Sequence, residues 1–110
     1  MSKDVSKIWE SDQAQQLAEA LVSIDDVQVM QNFLRDALTE KEIIEVGARL
    51  QAALMLANGE TYTAITRQTK LSSRTVARIS DWLKDGCNGY QAVITSVNAH
   101  HVHMPPVRAD

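Results

Sequence analysis

Residues 62–84 read YTAITRQTKLSSRTVARISDWLK, two short amphipathic segments on either side of a tight junction at Lys70-Leu71-Ser72. Ile65, Leu71, Val76 and Ile79 fall where two steeply crossing helices must bury side chains, and Ala64, Thr66 and Thr69 are small enough to let the helices approach. Ser73, Arg74, Ala77 and Arg78 are left on the outer face of the second segment. The pattern predicts a helix-turn-helix. An exposed helix face with arginines and hydroxyls near its start has the chemistry for phosphate and major-groove contacts, which points to double-stranded DNA as a partner.

The overall net charge of −3 looks unfavourable for binding a polyanion until it is divided along the chain. Residues 1–60 hold five Lys/Arg against eleven Asp/Glu, residues 61–84 five against one, and residues 85–110 one against two, giving −6, +4 and −1. Screening at physiological salt confines each patch to its own neighbourhood, so the local +4 attracts phosphate despite the acidic body. Within that segment Ser73 and Arg74 are the expected base readers, because the start of the second helix enters the groove first. Ser72 is expected to cap that helix. Thr61, Thr63, Arg67, Lys70 and Thr75 are expected to contact the phosphate backbone.

Outward from the junction the chain reads as nearly all helix, with no alternating strand pattern. Ser11 is placed to cap a first helix running to about Ser23, with Leu17, Ala18, Leu21 and Val22 on one stripe. Asp25 is expected to cap a second, with Val27, Met30, Phe33, Leu34, Ala37 and Leu38 on its apolar face. Thr39-Glu40-Lys41-Glu42 has the spacing of a capping box and opens the longest helix, carrying Ile43, Ile44, Val46, Leu50, Ala53, Leu54 and Leu56. Asn58-Gly59 supplies its left-handed stop. Beyond residue 84, Asp85-Gly86-Cys87-Asn88-Gly89 reads as a turn, and Tyr90, Val93, Ile94 and Val97 form the stripe of a last short helix.

Residues 1–10 are expected to form a flexible arm, 11–97 the helical domain and 98–110 a flexible tail. The tail holds His100, His101 and His103, but no neighbouring cysteine or carboxylate completes a tetrahedral set, so no metal is expected. Cys87 has no CxxC partner and is assigned no chemistry. No acid/base pair or activated nucleophile converges in the pattern, so an enzyme is not expected, and no cofactor is implied. No apolar run of membrane length and no signal-peptide core appears, which places the chain in the cytoplasm.

The capped Leu38-Thr39-x-x-Glu42 start of the long helix, Asn58-Gly59-Glu60 before the helix-turn-helix, and the TVARISDWLK segment resemble the tryptophan repressor family. The likeness covers roughly residues 10–97 and is similar to its YerC/YecD branch, through LTEKEIIEVGARLQAALMLANGETYTAI and the G-x-x-G-Y sequence at 86–90. The resemblance implies six helices in an intertwined homodimer with projecting recognition helices, and a DNA-binding transcriptional regulator.

It also implies an effector pocket, in which Thr39, Arg49 and Arg78 match family positions that hold tryptophan. Positions kept small in tryptophan-binding members carry Ile79 and Trp82 here. Placing tryptophan there requires displacing packed side chains, on the order of 1–3 kcal/mol, so tryptophan is not expected as effector. Trp82 has two readings, packing against the long helix or lining a site for another ligand beside Arg49 and Arg78. Arg78 also has two, a guanine edge or the effector pocket. The alternative to a DNA-binding regulator is a helical protein-interaction module, or a regulator sensing an unidentified small molecule.

Overall fold

The computed structural model describes residues 5–100, with side chains from Lys7 to Ala99. A 3-10 helix, Val5–Glu10, is followed by α1 (Asp12–Ser23), α2 (Val27–Ala37), α3 (Glu40–Ala57), α4 (Tyr62–Thr69), α5 (Ser73–Asp85) and α6 (Gly89–His100). The described residues contain no strand, and the protein is all-α, as its periodicity predicts. The 3-10 helix lies within residues 1–10, which are expected from the sequence to form a flexible arm. Helix α6 runs three residues past the stripe that ends at Val97; His101 and His103 lie outside the described residues, as does the His100 side chain.

Local chemistry fixes most helix ends. The Ser11 hydroxyl accepts from the Ala14 amide at 3.3 Å, and α1 begins there as expected. At α2 the expected cap is corrected by one residue: Asp26, not Asp25, holds the extended backbone immediately before the helix and accepts from the Val29 amide at 3.0 Å. A cap must reach the amide three residues on, and only Asp26 stands next to Val27. The box at α3 forms in both directions, with Glu42 N–H donating to Thr39 Oγ1 at 3.1 Å and Thr39 N–H donating to Glu42 Oε1 at 2.9 Å. Helix α3 then stops where Gly59 takes φ +81°, with the Glu60 amide returning to the Met55 carbonyl at 3.0 Å.

The chain divides into two compact units between Ile44 and Glu45. In the first, the 3-10 helix packs on α1, yet no side chain described in this unit is buried. Val22 and Val27 are 84% and 73% exposed.

In the second unit Ala52, Ala53, Leu54, Met55, Ile65, Val76, Ile79 and Ile94 form one buried cluster. Successive residues of a helix point about 100° apart, so four consecutive buried residues mean that this part of α3 is enclosed on most sides. Helix α4 packs on α5 and α5 on α6. Leu71, Leu83, Tyr90 and Val97 close the cluster from its edge.

The Thr39 backbone N–H, and secondarily its hydroxyl, hold the Glu42 carboxyl below its ordinary value of 4.5. A depressed folded-state value contributes stability that is present above the unfolded value and lost as pH falls through the folded one. Thermal melts should therefore show wild type losing an increment of stability below about pH 4.5. Glu42→Gln should lack that increment, and Thr39→Ala should melt lower than wild type at neutral pH.

Candidate nucleic-acid interface

The residues expected to meet DNA sit on α4, α5 and the three residues between them. Helix α4 is capped by Thr61, whose hydroxyl accepts from the Ala64 amide at 3.1 Å, and Thr63 is exposed in its first turn. The helix ends at Lys70, which adopts the left-handed conformation at φ 65°, ψ 11° and returns its amide to the Thr66 carbonyl at 2.9 Å. Glycine or asparagine normally takes this position, since a side chain there is disfavoured. Lysine here places an exposed cation at the corner of the turn.

Thr69 closes the same corner. Its hydroxyl donates to the Ile65 carbonyl at 2.7 Å and accepts from the Leu71 amide at 3.2 Å, so a residue read only as small also satisfies two backbone groups of the junction.

Ser72 caps α5 as expected. Its Oγ accepts from the Thr75 amide at 3.1 Å and donates to Thr75 Oγ1 at 3.1 Å, so both hydroxyls serve first to hold the helix start. Thr75 is half-buried, whereas Ser73 and Arg74, free of the cap, are exposed in the first turn. Arg78 follows one turn later, also exposed, while Val76 and Ile79 on the opposite side are fully buried. Arg67, Lys70, Arg74, Arg78 and Lys84 are all exposed, so the basic segment of the sequence is a basic surface in three dimensions.

The proposed effector residues divide differently. Thr39 belongs to the first unit, where its hydroxyl and amide are engaged in the capping box. Arg49, Arg78, Ile79 and Trp82 belong to the second. Arg49 is half-buried, and its Nε is buried without a hydrogen-bond partner among the described residues. Ile79 is a core residue.

Trp82 is not, although one of its two readings has it packing against the long helix. It is 43% exposed, and its indole stacks on Tyr90 of α6 at a centroid distance of 6.4 Å and 20° between planes. Three residues beyond Ile79, the helix has rotated Trp82 to the edge of the buried stripe, where Tyr90 of α6 meets it. A stack of this geometry is worth about 0.5–1.5 kcal/mol beyond the area it covers.

Comparison with known proteins identifies the lineage. The sequence model of the family described as Trp repressor protein matches residues 12–98. The chain belongs to the Trp repressor family. It is similar to the uncharacterised protein YerC of Bacillus subtilis strain 168, with 32% identity over 82 residues, 74% of this chain and 79% of YerC. Among solved structures, a TrpR-like protein from Eubacterium eligens superposes with a TM-score of 0.79 at 28% identity, covering 84% of this chain and 95% of that one. A candidate Trp repressor from Staphylococcus aureus shares the fold at a TM-score of 0.78 and 21% identity, over 94% and 100% of the two chains.

Within this Trp repressor fold the two junction residues should separate by their backbone roles. Ser72→Ala should lower unfolding stability by about 1 kcal/mol through loss of the cap. Lys70→Gly should leave stability unchanged or raise it by up to about 1 kcal/mol, because glycine takes the left-handed conformation without steric cost. Chemical denaturation of the two variants beside wild type measures both.

Proposed function

We propose that the chain is a sequence-specific DNA-binding transcriptional regulator, most simply a repressor, acting as a homodimer through the helix-turn-helix formed by α4 and α5. The observation that carries this reading is the exposed basic face of α5: Ser73 and Arg74 stand clear at its start while Ser72 and Thr75 hold the helix end behind them. In this reading Ser73 and Arg74 read base edges from the major groove. Thr61, Thr63, Arg67, Lys70, Ser72 and Thr75 meet the phosphate backbone, and Arg78 follows them along the groove. Membership of the Trp repressor family supports it. In this reading its site of action is the cytoplasm, with the DNA. No helix among the described residues is long and apolar enough to cross a bilayer.

The dimer is supported by the first unit. Leu17, Val22, Val27 and Val29 on α1 and α2 are exposed although both helices are amphipathic. Burying a large aliphatic side chain is worth about 1.5–3 kcal/mol, so a second copy that covers these faces supplies the core this unit lacks. Sedimentation should give a dimer at micromolar concentration, and Val27→Asp should shift it towards monomer. A wild type that sediments as a monomer overturns the dimeric reading.

Regulation does not depend on free tryptophan in this account, because Ile79 is a sealed part of the core and Thr39 is committed to its cap. DNA titrations with and without L-tryptophan test this together with the DNA face. Arg74→Ala should cost about 1–3 kcal/mol on the preferred site and relax one base position. Lys70→Ala should weaken all sequences alike and reduce the salt slope by about 1. Tryptophan should change neither affinity. Equal binding by wild type and both variants would remove the proposed face, and salt-insensitive association would favour a protein-interaction module instead.

A further inference from the structure

We propose that the Trp82–Tyr90 stack positions the recognition helix, holding the far end of α5 so that Arg74 meets its base at a fixed angle. The inference rests on the DNA reading of α5 given above. The fully buried side chains of α5, Val76 and Ile79, are the fourth and seventh of its 13 residues. Beyond Ile79, in residues Ser80–Asp85, Leu83 reaches the edge of the core while Asp81, Lys84 and Asp85 are exposed. Burial alone therefore fixes this half of the helix weakly.

What remains is built around Trp82. Its carbonyl accepts from the Gly86 amide at 2.9 Å, ending the helix. A Cβ on Gly86 would lie 2.5 Å from that same carbonyl oxygen, so the corner admits only glycine without backbone movement. Asn88 then takes the left-handed conformation at φ 67°, which turns the chain into α6. The indole spans the corner to Tyr90, and Tyr90 is itself half-buried against the core cluster. Backbone and ring of one residue thus tie the outer end of α5 to the interior through α6.

The consequence is mechanical. With the helix pivoting on its buried turn, Arg74 lies five residues from Ile79, about 7.5 Å along the axis, so a tilt of about 8° displaces it by about 1 Å. Groups in a functional constellation must be held to within about 0.5 Å, so such a tilt degrades a bidentate base contact. Phosphate attraction acts over longer distances and tolerates it. Trp82 and Tyr90 are accordingly positioning residues for specificity, and neither needs to touch DNA.

The test compares wild type with Trp82→Ala, Trp82→Phe and Tyr90→Leu at a temperature where circular dichroism shows each folded. Hydrogen exchange reads the latch without DNA: amides of residues 80–85 should exchange faster in Trp82→Ala and Tyr90→Leu, with residues 76–79 unchanged and Trp82→Phe near wild type. Affinity is then measured for the best duplex selected from a random pool and for mixed-sequence duplex. Trp82→Ala should lose about tenfold on the selected duplex, within the range lost with one mismatched base pair. Its affinity for mixed sequence and its salt slope should be unchanged, and Trp82→Phe should restore the preference. Unaltered exchange at residues 80–85 overturns the latch whether or not the protein binds DNA. Equal losses on both duplexes overturn the positioning role. A wild type without sequence preference, combined with faster exchange in the variants, overturns the DNA reading and leaves the latch standing. Should Trp82→Ala not fold, Tyr90→Leu decides by the same readouts.

Discussion

Ile65, Val76 and Ile79 lie sealed in one cluster with Ala52 to Met55, and the presentation of the basic helix face depends on that contact. With the stripe Val76–Ile79 turned inward, helical geometry directs Ser73, Arg74 and Arg78 to solvent. Two fully buried alanines of α3, Ala52 and Ala53, belong to the same cluster, and each large buried aliphatic side chain contributes about 1.5–3 kcal/mol. Polar groups then complete the corner between α4 and α5: Thr69 satisfies two backbone groups, and Lys70 accepts a backbone conformation unfavourable to its side chain. A strained residue held in place by its surroundings, carrying its charge at the corner of the turn, is consistent with a corner shaped for an anionic partner.

The two units contrast in what holds them. Residues 45–100 contain the whole buried cluster, whereas α1 and α2 have amphipathic faces with none of their side chains buried. In the reading favoured here that contrast is a division of labour, in which the acidic N-terminal half gains its core by association and the basic C-terminal half meets DNA. The −6 of residues 1–60 beside the +4 of residues 61–84 fits it, because like charge keeps the body of the molecule away from phosphate while the basic segment approaches.

Features governed by near neighbours were legible in the sequence. Ser11, Thr39 with Glu42, Gly59 and Ser72 each act within three or four residues, and the structure places their bonds where the spacing predicts them. The inward residues Ile65, Val76 and Ile79 followed from helical periodicity. The cap of α2 is expected at Asp25, one residue early, because helix periodicity does not fix a terminus to the residue and only Asp26 stands next to Val27. Residue type gives no signal that Lys70 is left-handed, because packing around the junction imposes it. Trp82 lies between the inward and outward faces of α5, so its partner depended on where α6 arrives, which periodicity does not contain. Arg49 with its unpartnered buried Nε is visible only in three dimensions.

The central claim is sequence-specific DNA recognition by a two-fold symmetric assembly. Selection of purified protein against a random duplex pool, read by sequencing, tests it most directly. An enriched palindromic consensus is expected, with half-sites centred about 34 Å apart, one turn of the duplex. A pool that stays unenriched while the folded protein is retained, or that is bound without regard to sequence, would contradict it.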